Sequence, residues 1–137
     1  MAFVVDASVA MGWLLPSQAD SLTVAAENTV IRERCWVPSH FAIEVARALR
    51  RLERHKLIAP QIVDDALARL RELPLKQDSG ETLVLLPSIM ALARSHNLRI
   101  ADAAYLELAL RTGLPLATRD GAFAQAAEKA GAVLFTA

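Results

Sequence analysis

The chain has 137 residues, no net formal charge, and 54% hydrophobic residues with few aromatics. That length fits one domain, which buries roughly 65–70% of its unfolded surface without staples, and a single cysteine, Cys35, excludes an internal disulfide and a cysteine metal cage. Neutrality excludes a global attraction to nucleic acid, and no apolar stretch approaches the ~20 residues needed to span a bilayer.

The N-terminus runs straight into an apolar segment, without the charged start and long core of a signal peptide, so a soluble cytoplasmic protein is expected. Phe3-Val4-Val5 reads as a short buried strand ending at Asp6. Asp6-Ala7-Ser8 can cap a helix over Val9 to Leu15, which Pro16 stops. Ser17 and Asp20 offer starts for a helix over about 18–32, and Cys35-Trp36-Val37 is a second strand. Ser39 is placed to cap a long helix over about 40–56, and Pro60 suits the first turn of another that ends near Glu72. Leu73 to Lys76 forms a third strand. The helix after Gly80 runs to Asn97, with Pro87 forcing a late start or a kink. Ile100 to Arg111 is helical and stops at Gly113. Leu114 to Thr118 is a strand, Arg119-Asp120-Gly121 a turn, Ala122 to Ala130 a helix and Ala132 to Phe135 a final strand.

Short strands that are apolar on both faces alternate with helices. That pattern specifies an α/β fold, a three-layer α/β/α sandwich on a parallel sheet of four or five strands. No internal repeat or linker divides residues 1–137, so one domain is expected.

In such sheets ligands bind beyond the carboxyl ends of the strands. Asp6 follows the first strand and Asp120 follows the fourth. Glu44 falls inside the apolar stripe of Phe41, Val45, Ala48 and Leu52, where a carboxylate is costly unless paired, protonated or bound to a metal. Asp102 lies in line with Leu106 and Ala109 and leans inward too. Each acid has a plain alternative: Asp6 and Asp102 as helix caps, Asp120 as a turn residue before glycine, Glu44 as a helix residue paired with Arg47. Four converging carboxylates would repel one another, and a divalent cation relieves that repulsion. Hard oxygen ligands without His or Cys suit Mg²⁺ or Mn²⁺ rather than Zn²⁺.

At these residues the chain resembles the PIN-domain family, and within it the VapC toxins of toxin–antitoxin pairs. Phe3-Val4-Val5-Asp6-Ala7-Ser8-Val9-Ala10 is similar to the family's opening motif, a strand ending in Asp-x-Ser. Phe41-Ala42-Ile43-Glu44-Val45-Ala46, Ile100-Ala101-Asp102-Ala103-Ala104-Tyr105-Leu106 and Leu116-Ala117-Thr118-Arg119-Asp120 resemble the following three. The resemblance implies that Asp6, Glu44, Asp102 and Asp120 are metal-binding and catalytic acids, with Ser8 and Thr118 as supporting polar groups. It also implies Mg²⁺- or Mn²⁺-dependent cleavage of RNA, a homodimer, and inhibition by a cognate antitoxin protein bound across the active-site groove. Two positions depart from the pattern: Ala101, where tyrosine is frequent, and Phe123, where some members carry a further acid.

Arg47, Arg50, Arg51 and Arg54 form a basic stripe beside Glu44, readable as an RNA-phosphate track, an antitoxin contact or a solvated face partly paired with Glu53. Arg119, beside Asp120, is a candidate phosphate contact by position. Trp36 is expected to pack, and Trp13 is open for a partner contact. His40, His55 and His96 show no ligating pattern, and Cys35 reads as an inert buried thiol. Two other readings compete. A phosphatase-like or receiver-like Mg²⁺ domain would need a well-placed Lys, and Lys56, Lys76 and Lys129 are not so placed; a non-catalytic binding module on the same fold is the other.

Overall fold

In the computed structural model of the chain, which describes residues 2–137, the run Phe3–Val5 is a strand, β1, with each residue fully buried. Successive strand residues point to opposite faces, so the sheet is covered on both sides. Helix α1 (Ala7–Leu14) follows, then a 3-10 turn at Pro16–Gln18 and helix α2 (Ser21–Val30). Strand β2 (Cys35–Val37) leads to α3 (Phe41–Arg54) and α4 (Pro60–Glu72), and β3 (Leu75–Gln77) to α5 (Thr82–His96) and α6 (Ile100–Thr112). Strand β4 (Leu116–Ala117) and helix α7 (Gly121–Lys129) close the chain.

The sheet is parallel, in the order β3-β2-β1-β4, with Phe3 opposite Cys35, Val4 opposite Leu116 and Trp36 opposite Lys76. Helix α1 packs with α2, α3 and α4, while α6 packs against β1, β4 and α5. The two helical groups and the sheet form the three-layer α/β arrangement. A shared hydrophobic cluster runs from Phe3 through Leu49 and Tyr105 to Ala127, and a smaller one, of Ile89, Ala93, Ala103 and Ala104, seals α5 onto α6.

Several local expectations are corrected. Helix α1 starts at Ala7, two residues early, because Asp6 itself is its N-cap. Ser39 does not cap α3. His40 occupies that position without a side-chain bond, and the Ser39 hydroxyl instead pairs with the Thr82 hydroxyl at 2.9 Å at the start of α5. Of the two starts offered for α2, Asp20 is the one used and Ser17 is not: the Asp20 carboxylate and the Thr23 hydroxyl make a reciprocal capping box, and the helix spans Ser21–Val30. Pro87 neither delays nor ends α5, which starts at Thr82 and carries the proline in its interior. The expected last strand is reduced to one parallel bridge between Leu116 and Leu134.

Candidate active site

From β1 the chain steps outward to β2 and β3, then returns to place β4 on the other side of β1. Loops leaving two adjacent strands part at such a reversal and open a crevice. The backbone N–H of Asp6 donates to the carbonyl of Ala117 at 3.1 Å, so the ends of β1 and β4 lie level. The residues that leave this edge are Asp6 and, after β4, Thr118 and Asp120.

Asp6 is buried and accepts, on Oδ1, the Ser8 hydroxyl at 2.6 Å and the Val9 N–H at 3.2 Å. The Ser8 hydroxyl oxygen in turn accepts the Arg119 N–H at 2.9 Å, which ties the β1 and β4 loops together. Thr118 is buried, and its hydroxyl oxygen accepts the Asp120 N–H at 3.1 Å. Asp120 is exposed and caps α7 through Oδ1, which accepts the Phe123 N–H at 3.1 Å. The capping role weighed for Asp6 is therefore real, whereas Asp120, weighed as a turn residue, is the cap of α7, and both carboxylates leave the same edge.

The other two acids arrive on helices. Asp102 is buried in the first turn of α6, but it is not the cap; Arg99 is. The Arg99 guanidinium donates to both oxygens of Asp102, at 3.2 and 3.3 Å. Glu44, half-buried on α3, pairs with no arginine among the described residues and accepts the Tyr105 hydroxyl at 2.8 Å. Tyr105 is fully buried on α6, and the His40 ring meets it edge-on with centroids 4.9 Å apart. A buried phenol in an Ala/Leu-rich helix needs a polar partner, and Glu44 supplies it.

All four acids line one cleft of about 730 Å³, together with Ala7, Ser8, Met11, Gln18, Arg99 and a wall from α3. Arg47, Ala48, Arg51, Leu52 and His55 make that wall, and Leu57 extends it. A neutral chain thus holds separated charge: carboxylates at the floor and guanidiniums along one side. Of the four arginines in the α3 stripe, Arg47 and Arg51 face the cleft, while Arg50 pairs with Glu53 at 2.6 Å.

Burial pushes the Asp6 carboxyl up to about 6, and the Asp102 charge adds to the rise. The Ser8 and Thr118 hydroxyls and the Val9 N–H hold it lower than burial alone would. Burial likewise raises the Tyr105 phenol well above its ordinary value, with the Glu44 carboxylate reinforcing the effect, so it stays a proton donor. The Asp102 hydrogen bond and charge raise the Arg99 guanidinium, and Glu44 and Asp120 add to this.

Among the described residues, no three His, Cys, Asp or Glu side chains stand close enough to form a ready-made metal cage. The donor set nonetheless fits a hard divalent cation. It is made of carboxylate and hydroxyl oxygens alone, and the cluster already draws a cationic guanidinium onto Asp102. Waters would have to complete any coordination shell.

Two expectations fail at this site. Arg119 is not a free phosphate contact: its guanidinium donates to the carbonyls of Ser8, at 2.8 Å, and Gln18, and lies 3.6 Å from Asp20. Trp13 is not presented to a partner, being 2% exposed with its indole N–H donating to the Thr23 carbonyl at 2.8 Å. Sequence reasoning also missed Arg99, Tyr105 and Gln18. The signal for Arg99 was a basic residue three positions before an acid on a helix, a spacing that brings side chains together.

The family model described as PIN domain matches residues 3–129. Ribonuclease VapC3 of Mycobacterium tuberculosis is 37% identical over 130 residues, covering 95% of this chain and 90% of that protein. Among solved structures, VapC20 of Mycobacterium tuberculosis, described as a sarcin–ricin loop cleaving toxin, superposes with a TM-score of 0.68 at 16% identity, covering 98% of this chain and 99% of the other. FitAcB of Neisseria gonorrhoeae superposes with a TM-score of 0.67 at 19% identity, covering 99% and 97%.

Proposed function

The chain belongs to the PIN domain family, on the side of its VapC ribonucleases, and from that premise we propose that it is a Mg²⁺- or Mn²⁺-dependent endoribonuclease. Its setting is the cytoplasm, as the toxin of a VapBC-type toxin–antitoxin pair, with a cognate antitoxin protein as inhibitor and a second copy of itself as partner. No helix among the described residues is long and apolar enough to cross a membrane. One observation carries the reading: four carboxylates from four separate segments line a single cleft beyond the carboxyl ends of β1 and β4.

In this reading Asp6, Glu44, Asp102 and Asp120 hold the cation, directly or through waters. When bound, the cation supplies Lewis acidity, which makes water nucleophilic near neutral pH and offsets charge on the scissile phosphate. Ser8 and Thr118 orient Asp6 through their hydroxyls, and Tyr105 orients Glu44. Arg47 and Arg51 bind RNA phosphates along α3 and compensate for the acidic floor that would otherwise repel them. No side-chain nucleophile is required. Cys35 is buried in β2 with its thiol pushed far above the ordinary value by burial, which leaves it inert.

The test is cleavage of a mixed RNA pool by the folded, antitoxin-free protein with Mg²⁺, Mn²⁺ or EDTA, alongside Asp6→Asn and Asp102→Asn. Metal-dependent cutting that both substitutions abolish is the expected result. Cutting that persists in EDTA, or in both variants, would overturn the reading.

A further inference from the structure

The bidentate pair of Arg99 with Asp102 has a feature that an ordinary surface ion pair lacks: both its members line the acidic cleft. Asp102 is nearly buried, its side chain 12% exposed, whereas that of Arg99 is 77% exposed. The arginine therefore reaches in from the rim and covers both oxygens of an acid that a divalent cation would need. The charges of Glu44 and Asp120 also act on it, so it faces three of the four acids and not Asp102 alone.

Resting on the proposed function, we infer that Arg99 is a built-in counter-ion that competes with the divalent cation for Asp102 and, once displaced, turns its guanidinium to the RNA phosphate. The two compete at Asp102, because the guanidinium occupies a lone pair on each oxygen and its positive charge repels a second cation held there. The exchange is feasible because the guanidinium is exposed and can swing without disturbing the core. It also suits the reaction, since a planar fork of N–H donors released at the rim of the cleft matches a phosphate. The helix does not depend on the side chain: Arg99 caps α6 with no side-chain hydrogen bond.

The experiment measures Mn²⁺ affinity by calorimetry on the metal-free protein without RNA, for the wild type, Arg99→Gln and Arg94→Gln. The last removes the same charge from an exposed position on α5 outside the cleft. Arg99→Gln is expected to lower the Mn²⁺ Kd by roughly 3- to 10-fold, the range of one exposed charge-assisted pair, with Arg94→Gln near wild type. At saturating Mn²⁺, Arg99→Gln is expected to cut kcat/KM on RNA at least about tenfold, as loss of a charged phosphate contact does. Unchanged or weaker Mn²⁺ binding in Arg99→Gln, with RNA cleavage intact in the wild type, would overturn the counter-ion role while leaving the ribonuclease reading standing. Tighter Mn²⁺ binding with undiminished kcat/KM would overturn the transfer to phosphate. No Mn²⁺ binding and no cleavage in any protein would overturn this inference and the function beneath it together.

Discussion

The Tyr105 hydroxyl donates to Glu44 Oε1 at 2.8 Å, joining α6 to α3 across 61 positions of sequence. Glu44 is thereby held at the cleft by a neutral donor, which fixes its orientation without cancelling its charge. Tyr105→Phe removes the donor and leaves the ring in place. The carboxylate then keeps its partial burial and loses its partner, at a cost of about 1–2 kcal/mol in stability. Thermal melts should show a drop of several degrees, and Mn²⁺ affinity should fall by a few-fold as Glu44 gains rotamer freedom. A variant with wild-type melting and wild-type metal affinity would remove Tyr105 from the site.

Arg47 and Arg51 lie one helical turn apart on the cleft wall, whereas Arg50, one position from Arg51, points away and pairs with Glu53. Replacing Arg47 and Arg51 together with alanine should weaken single-stranded RNA binding about 10- to 100-fold and reduce the slope of log K against log salt by about 0.7 per lost contact. Arg50→Ala should change neither quantity appreciably. Fluorescence anisotropy with an RNA oligonucleotide in Ca²⁺, at several salt concentrations, measures both. Equal effects from the two sets of substitutions would mean that α3 attracts RNA only by its overall charge.

Helices α1 and α2 approach closely where Gly12 faces Thr23. A Cβ built on Gly12 would fall inside the Thr23 side chain. Thr23 cannot easily yield, because its N–H and hydroxyl complete the capping box with Asp20 and its carbonyl accepts the Trp13 indole N–H. Gly12→Ala improves helix propensity by about 1 kcal/mol, but overpacking here costs more, about 1–3 kcal/mol. Net destabilisation of up to about 2 kcal/mol in urea is expected. A stabilised Gly12→Ala protein would show that α2 shifts freely on α1.

Much of this architecture was legible because its cause is local. The apolar runs at residues 3–5 and 35–37, the helical periods and the acid after each of β1 and β4 are sequence-proximal signals, and the acids do line one cleft. What was not legible depends on partners distant in sequence. Ser39 bonds Thr82 rather than the start of α3, since α5 comes to lie beside it. Arg119 is consumed by Ser8 and Gln18, which only the meeting of two loops brings within reach. Trp13 is buried because α2 folds back over it. The Glu53 pairing within the α3 stripe was legible, being local, but which arginines face the cleft was not. Of the two outcomes expected from Pro87, the late start does not occur: α5 begins at Thr82 and carries the proline at an exposed position.

Asp6 gives the metal-free fold a defined pH dependence. Its carboxyl is raised from 3.8 to about 6, chiefly by burial. Between those values the folded chain binds the proton more tightly than the unfolded one. Stability from this group is therefore greatest below about 4, falls as pH rises toward 6, and stays low above it. Asp6→Asn keeps the acceptor for Ser8 and Val9 but carries no charge, so it escapes that loss. In EDTA the variant should melt higher than wild type at pH 7.5, by an amount corresponding to about 1–3 kcal/mol. The advantage should shrink as pH drops from 6 to 4, because wild-type Asp6 then becomes neutral as well. Excess Mn²⁺ should reverse the order at pH 7.5, since only wild type has the charged ligand. Urea titrations at four pH values, with EDTA or Mn²⁺, measure all three effects. A variant less stable than wild type in EDTA at pH 7.5 would mean that the buried charge is compensated by the fold rather than held in reserve for a cation.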